Sequence, residues 1–185
     1  ASARLVGMVA NLRQSKGYEY FVQAARLVVN SFPEARFVSV GEKEEHMAAG
    51  LADMVRQLDL DDRFTFLGFR SDVPEVLADL DVFVLSSVSE GLSIATLEAM
   101  AAGRPVVVTQ SGGPEELVAD GRTGRLVPPA DPAALAAGIC ELLKNPGLAM
   151  LLGRNAQEES REKFSVSRMI AEYESLYQRC LGPAT

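Results

Sequence analysis

The sequence predicts an α/β fold, a parallel sheet of about six strands with helices on both faces. Three observations predict it. Short apolar runs alternate with segments of helical period, the pattern of a βαβ series. Several of the runs (VGMVA, VFVL, PVVV) are apolar without alternation, as strands covered on both faces are. The loops with suggestive polar and glycine content, at 10–17, 41, 68–73, 86–93 and 109–114, all follow strand ends, which places them along one edge of the sheet.

In chain order, Arg4 to Val9 reads as a buried strand running into the polar turn Asn11 to Gly17. Tyr18 to Phe32 has apolar residues at 21, 22, 24, 25, 28, 29 and 32, a helical period that Pro33 stops. Ala35 to Val40 is the next strand, ending at Gly41. Met47 to Leu58 follows as a helix, and Arg63 to Leu67 as a third strand closed by Gly68. Asp72 to Leu80 is a short helix with Asp72 as N-cap and Pro74 in its first turn. Asp81 to Leu85 is the fourth strand. A helix begins near Ser93, and Gly103 and Pro105 lead into a fifth strand, Val106 to Thr109. The turn Ser111-Gly112-Gly113-Pro114, read as structural, opens a short helix ending near Ala119. Arg125 to Val127 is the sixth strand. Asp131-Pro132 then starts a helix to Leu143, Asn145-Pro146-Gly147 punctuates, and helices over Leu148 to Lys163 and Val166 to Leu181 finish the chain.

With 185 residues, the chain can build one good core. A formal net charge of −7 argues against a nucleic-acid surface, which needs a basic excess. No apolar run approaches the roughly 18 residues of a membrane span, and no membrane contact is expected through this domain. Cys140 and Cys180 stand alone without a CxxC pair. They are expected as buried or half-buried free thiols, in keeping with a reducing, cytoplasmic setting and no metal site. The sole histidine, His46, is expected to be exposed and inert. The first residues, ASARLVGMVA, carry no Met and lie three residues from a strand, as in a domain excised from a longer protein.

The chemistry concentrates in Ser89 to Ala102, SEGLSIATLEAMAA. Gly91 interrupts any helix there, so Glu90 belongs to a loop and Glu98 to the second turn of the helix that follows. Between them, the N–H groups of Gly91, Leu92, Ser93 and Ile94 have no helical partner and suit a phosphate. A carboxylate beside a phosphate needs another task, and accepting hydrogen bonds from sugar hydroxyls is one. On spacing alone, two solvated surface carboxylates are the favoured reading.

The longer string changes the weighing. Ser89-Glu90-Gly91, Leu97 to Val106 (LEAMAAGRPV), Gly112-Gly113-Pro114-Glu115-Glu116, Asp120-Gly121, Thr123-Gly124 and Leu126-Val127-Pro128-Pro129 resemble the donor-binding half of retaining glycosyltransferases of glycosyl transferases group 1. Lys16-Gly17, Leu67-Gly68-Phe69, Asp72-Val73, Phe164-Ser165 and the Tyr173–Tyr177 helix extend the match to nearly the whole chain. The resemblance implies a Rossmann-like domain over residues 1–185, one half of a GT-B fold. Its N-terminal acceptor domain would lie outside this chain, and this half alone would transfer little or nothing.

On that resemblance, the two-glutamate motif falls on Glu90, for hydroxyls of the donor sugar, and Glu98, for the ribose. The N–H groups of Gly91 to Ile94 would face the diphosphate, and Lys16 would neutralise it, as stabilising a leaving group requires. The family arginine five or six residues before that lysine is here Asn11, with Arg13 nearer as a substitute. Phe69, Arg70 and Val73 would lie by the base. Phe69 is also readable as a packed loop anchor. Lys43 replaces a second family glycine, and Ser93 stands where many relatives carry Gly or Pro. The substrate would be a nucleotide-diphosphate sugar, with no cofactor and no metal. The final helix would pack toward the absent domain. The rival readings are a non-catalytic nucleotide-binding module and one half of a sugar-nucleotide epimerase.

Overall fold

The computed structural model describes residues 4–42 and 44–181, with only the backbone of Glu45 and His46. The expectations for Lys43 and for the His46 side chain therefore lie outside the described residues. Six strands form one parallel sheet: β1 (Arg4–Val9), β2 (Ala35–Val40), β3 (Phe64–Gly68), β4 (Val82–Leu85), β5 (Val106–Thr109) and β6 (Arg125–Val127). Their spatial order is β3-β2-β1-β4-β5-β6. The order reverses between β1 and β4, and at such a switch the two outgoing loops diverge and leave a crevice beyond the strand ends. All four residues of β4 and all four of β5 are buried, the burial that their unbroken apolar pattern predicts.

The helices are α1 (Tyr18–Ser31), α2 (Glu45–Gln57), α3 (Val73–Asp79), α4 (Ile94–Ala101), α5 (Pro114–Leu117), α6 (Pro132–Lys144), α7 (Pro146–Lys163) and α8 (Val166–Leu181). Right-handed crossovers leaving the switch in opposite directions put their helices on opposite faces. Thus α1 packs with α2 and α6, while α4 packs with α3, α5 and α7. The core between β2, β3 and α1 is aromatic: Phe21 meets Phe37 and Phe64 edge-on, with centroids 6.1 and 5.1 Å away.

Five expectations change, the first being α2, which starts at Glu45 rather than Met47. α7 starts at Pro146 rather than Leu148, because proline has its φ already set for a first helical turn and needs no partner there for an N–H. α5 stops at Leu117, two residues short of Ala119. Asp72 stands at the N-cap of α3 but caps nothing. Its carboxylate accepts from Arg70 instead, with Nε at 2.7 Å, and the guanidinium holds Asp72 below the usual carboxylate range. Cys140 is half-buried, with its thiol pushed up by burial, but Cys180 is exposed. The reason for the second is α8 itself, which buries no residue and leaves Met169, Ile170, Tyr173, Leu176 and Tyr177 in contact with solvent.

Candidate functional site

The loops after β1, β4 and β5 meet at the switch point and are fastened to one another by backbone. After β1, Gln14–Lys16 forms a single 3-10 turn between Arg13 and Gly17. Gly17 has φ 60°, and a Cβ there would sit 2.3 Å from the Ser86 carbonyl, so only glycine lets the two loops approach this closely. Val88 N–H donates to the Ser15 carbonyl at 2.8 Å and Ser86 Oγ to the Lys16 carbonyl at 3.0 Å.

The loop after β5 grips the other side. Glu90 N–H donates to the Ser111 carbonyl and Gly113 N–H to the Glu90 carbonyl, each at 2.9 Å. A Cβ on Gly113 would lie 1.8 Å from the Gly91 carbonyl oxygen. The Ser111–Gly113 turn is thus structural, and its structural task is to clasp Glu90. It does not offer the N–H of Gly112 to an anion, since the Glu115 carboxylate already accepts from it at 3.1 Å.

Held this way, Glu90 meets Lys16 across 74 residues of chain: Lys16 Nζ lies 2.5 Å from Glu90 Oε2. Their side chains are 21% and 11% exposed, so the pair is largely shielded from water and the interaction is stronger than at a free surface. Ser87 Oγ donates to the same oxygen at 3.0 Å. Sequence reasoning missed Ser87. The only signal was a serine three residues before Glu90 in a loop already suspected.

A cleft of about 340 Å³ opens over this pair, lined also by Arg13, Asn11, Leu92, Ser93 and Ile94. Arg13 is exposed and makes no side-chain hydrogen bond among the described residues. Asn11, also on the cleft wall, accepts through Oδ1 from the Glu42 N–H at 3.0 Å. Ser93 caps α4, its Oγ accepting from Thr96 N–H at 3.3 Å and from Thr96 Oγ1 at 2.9 Å. The hydroxyl therefore caps the first turn of the helix. Among the described residues, no hydrogen bond uses the N–H groups of Gly91, Leu92, Ser93 or Ile94. Those groups and the ends of the α4 peptide dipoles make the cleft floor positive.

The other expected residues lie apart. Glu98 is exposed on α4, one turn beyond the cleft, with no side-chain partner among the described residues. Phe69, Arg70 and Val73 belong to the turn from β3 into α3. That turn reaches the site through backbone: Gly41 N–H donates to the Gly68 carbonyl and Leu12 N–H to the Glu42 carbonyl. Phe69 is 71% exposed, which removes the packed-anchor reading. Val73 is half-buried, and Arg70 is engaged by Asp72. Tyr18 stiffens the same rim. Its hydroxyl donates to the Ala10 carbonyl at 2.5 Å and accepts from Ser39 Oγ at 3.1 Å, and burial pushes its pKa up to about 12.

Comparison with known proteins finds relatives over nearly the whole chain. The chain is 32% identical over 176 residues to the N-acetyl-alpha-D-glucosaminyl L-malate synthase of Bacillus anthracis, covering 95% of this chain and 45% of that protein. It is 33% identical over 182 residues to the lipopolysaccharide core biosynthesis mannosyltransferase LpcC of Rhizobium leguminosarum bv. viciae, covering 96% and 51%. Among solved structures, Anabaena Alr3699/HepE in complex with UDP and glucose matches with a TM-score of 0.88 at 29% identity, over 94% of this chain and 48% of that one. The C-terminal domain of a glycosyl transferase group 1 family protein (LpcC) from Francisella tularensis matches at 0.83 and 26% identity, over 89% and 88%. The chain spans about half the length of the curated relatives it matches. A profile for Glycosyl transferases group 1 matches residues 3–145, and the chain belongs to that family, with the Rossmann-like fold of one half of a GT-B enzyme.

Proposed function

We propose that this chain is the donor-binding domain of a retaining glycosyltransferase and takes a nucleotide-diphosphate sugar. The observation that carries the reading is the placement of Lys16 and Glu90 together at the switch point, beside the N–H groups leading into α4 that have no partner among the described residues. A cation and N–H donors suit a diphosphate, and a carboxylate suits sugar hydroxyls. Alr3699/HepE, similar over 94% of this chain, binds UDP and glucose, which supports the same ligand class here.

In this reading the bond between the anomeric carbon and the diphosphate oxygen breaks toward Lys16, Arg13 and the start of α4. These groups stabilise the charge that develops on the leaving group. Glu90 holds the sugar by its hydroxyls, and Glu98 reaches the ribose from the flank of α4. Phe69, Arg70 and Val73 form the base side. The acceptor hydroxyl attacks the face the diphosphate leaves, and the departing phosphate takes its proton. The acceptor itself is held by a further domain, and no metal is assigned a role. Calorimetric titration of the chain with UDP, GDP and ADP and their sugar conjugates tests this. Binding of one nucleotide series is expected. Failure of all of them at millimolar concentration would overturn the reading.

A further inference from the structure

We propose that Lys16 exchanges partners when an anionic donor arrives, and that Ser87 is the positioning residue that keeps the Glu90 carboxylate in place after the exchange. The inference rests on the donor-site reading above. Glu90 Oε2 accepts from two donors, the Lys16 ammonium at 2.5 Å and the Ser87 hydroxyl at 3.0 Å. A diphosphate in the cleft carries more negative charge than one carboxylate and draws Lys16 away. Glu90 then faces an anion with its cation withdrawn.

Three features keep the carboxylate from swinging out. Its backbone is clasped on both sides by Ser111 and Gly113. Ser87 is fully buried, and its carbonyl accepts from Thr109 Oγ1 at 2.5 Å, which ties the hydroxyl's backbone to the end of β5. Ser87 Oγ therefore continues to hold Oε2. Oε1, to which no described group donates, is left for a sugar hydroxyl. Two consequences have opposite signs. Glu90 competes with the diphosphate for Lys16, so removing its charge tightens binding of a bare nucleoside diphosphate. Ser87 acts only on the sugar end, so removing its hydroxyl weakens the sugar conjugate and spares the bare nucleotide.

The experiment is calorimetry of the full 185-residue chain with UDP, GDP and ADP, and with UDP-glucose, UDP-N-acetylglucosamine and GDP-mannose. Glu90→Gln is expected to bind the preferred nucleoside diphosphate about fivefold tighter than wild type, the scale of one ion pair. Ser87→Ala is expected to leave that affinity within about twofold and to weaken the preferred sugar conjugate about tenfold, the scale of a hydrogen bond to a charged group. A merely structural serine would weaken both ligands equally. That result, or looser nucleoside diphosphate binding by Glu90→Gln, overturns the proposal and leaves the donor site standing. A wild-type chain that binds none of the six ligands overturns the donor site itself.

Discussion

The two edges of the sheet each carry a cleft, and the larger one is not the candidate site. At the edge where β1, β4 and β5 begin, a cavity of about 430 Å³ is lined by Arg4, Asp81, Arg104 and Arg154. Its charges are largely committed to the fold. Arg4 pairs with Asp81 at 3.3 Å, Asp81 accepts from the Leu5 N–H at 2.8 Å, and Arg104 donates to the carbonyls of Ala78, Leu80 and Ala102. At the opposite edge the cleft is smaller, yet it gathers the Lys16–Glu90 pair with an Arg13 and N–H groups that have no partner among the described residues. The strand-start edge uses its charge to close backbone that would otherwise end in water. The strand-exit edge leaves Arg13 and the N–H groups before α4 without a partner among the described residues. Availability, more than volume, distinguishes a site from a seam.

Substitutions at the two edges should separate binding from stability, and the largest effect is expected at Lys16. Lys16→Gln should lower affinity for the preferred nucleoside diphosphate about thirtyfold, about 2 kcal/mol. Its melting midpoint should fall by only about 2–4 °C, because Glu90 loses its cation but keeps the Ser87 hydroxyl. A large fall in melting temperature with binding intact would reverse the comparison. Next in size, Glu98→Ala should weaken nucleotide binding about tenfold, about 1.4 kcal/mol, without changing denaturant stability, because the side chain is exposed and unpartnered among the described residues. An unchanged affinity would move the ribose contact elsewhere. Smallest, and of the other kind, Arg104→Ala should cost about 1 kcal/mol of stability in urea denaturation by releasing its three carbonyls, while nucleotide affinity holds. Lost affinity in that variant would mean that the strand-start edge communicates with the site.

The six strands and their helices were legible because a doubly covered parallel sheet writes itself as short unbroken apolar runs, of which Val82–Leu85 and Val106–Thr109 are the plainest. Glycine and proline marked most boundaries. Pro146 misled because the same residue that ends one helix can begin the next. Of the site, Lys16 and Glu90 could be placed on strand-exit loops, but their direct contact could not. It depends on β1 lying beside β4, a neighbour relation that no local pattern encodes. The clasp of Gly113 on Glu90 was hidden for the same reason, and the turn showed only as punctuation. Cys180 and Phe69 show the converse limit. An apolar residue type suggests burial, and burial also needs a neighbour that the described chain does not bring to either one.

The clasp around Glu90 also sets the order in which the domain can be completed. Lys16, Glu90 and Gly113 come from three loops whose strands must already be paired in register, β1 with β4 and β4 with β5. Contacts this distant along the chain form late, after the entropy of closing the intervening loops has been overcome. The ends of β5 and β6 need only fray, without global unfolding, for Glu90 to lose its grip. The site is therefore a report on one pairing, β1 with β4 with β5: until those three strands are in register, the domain is chemically blank.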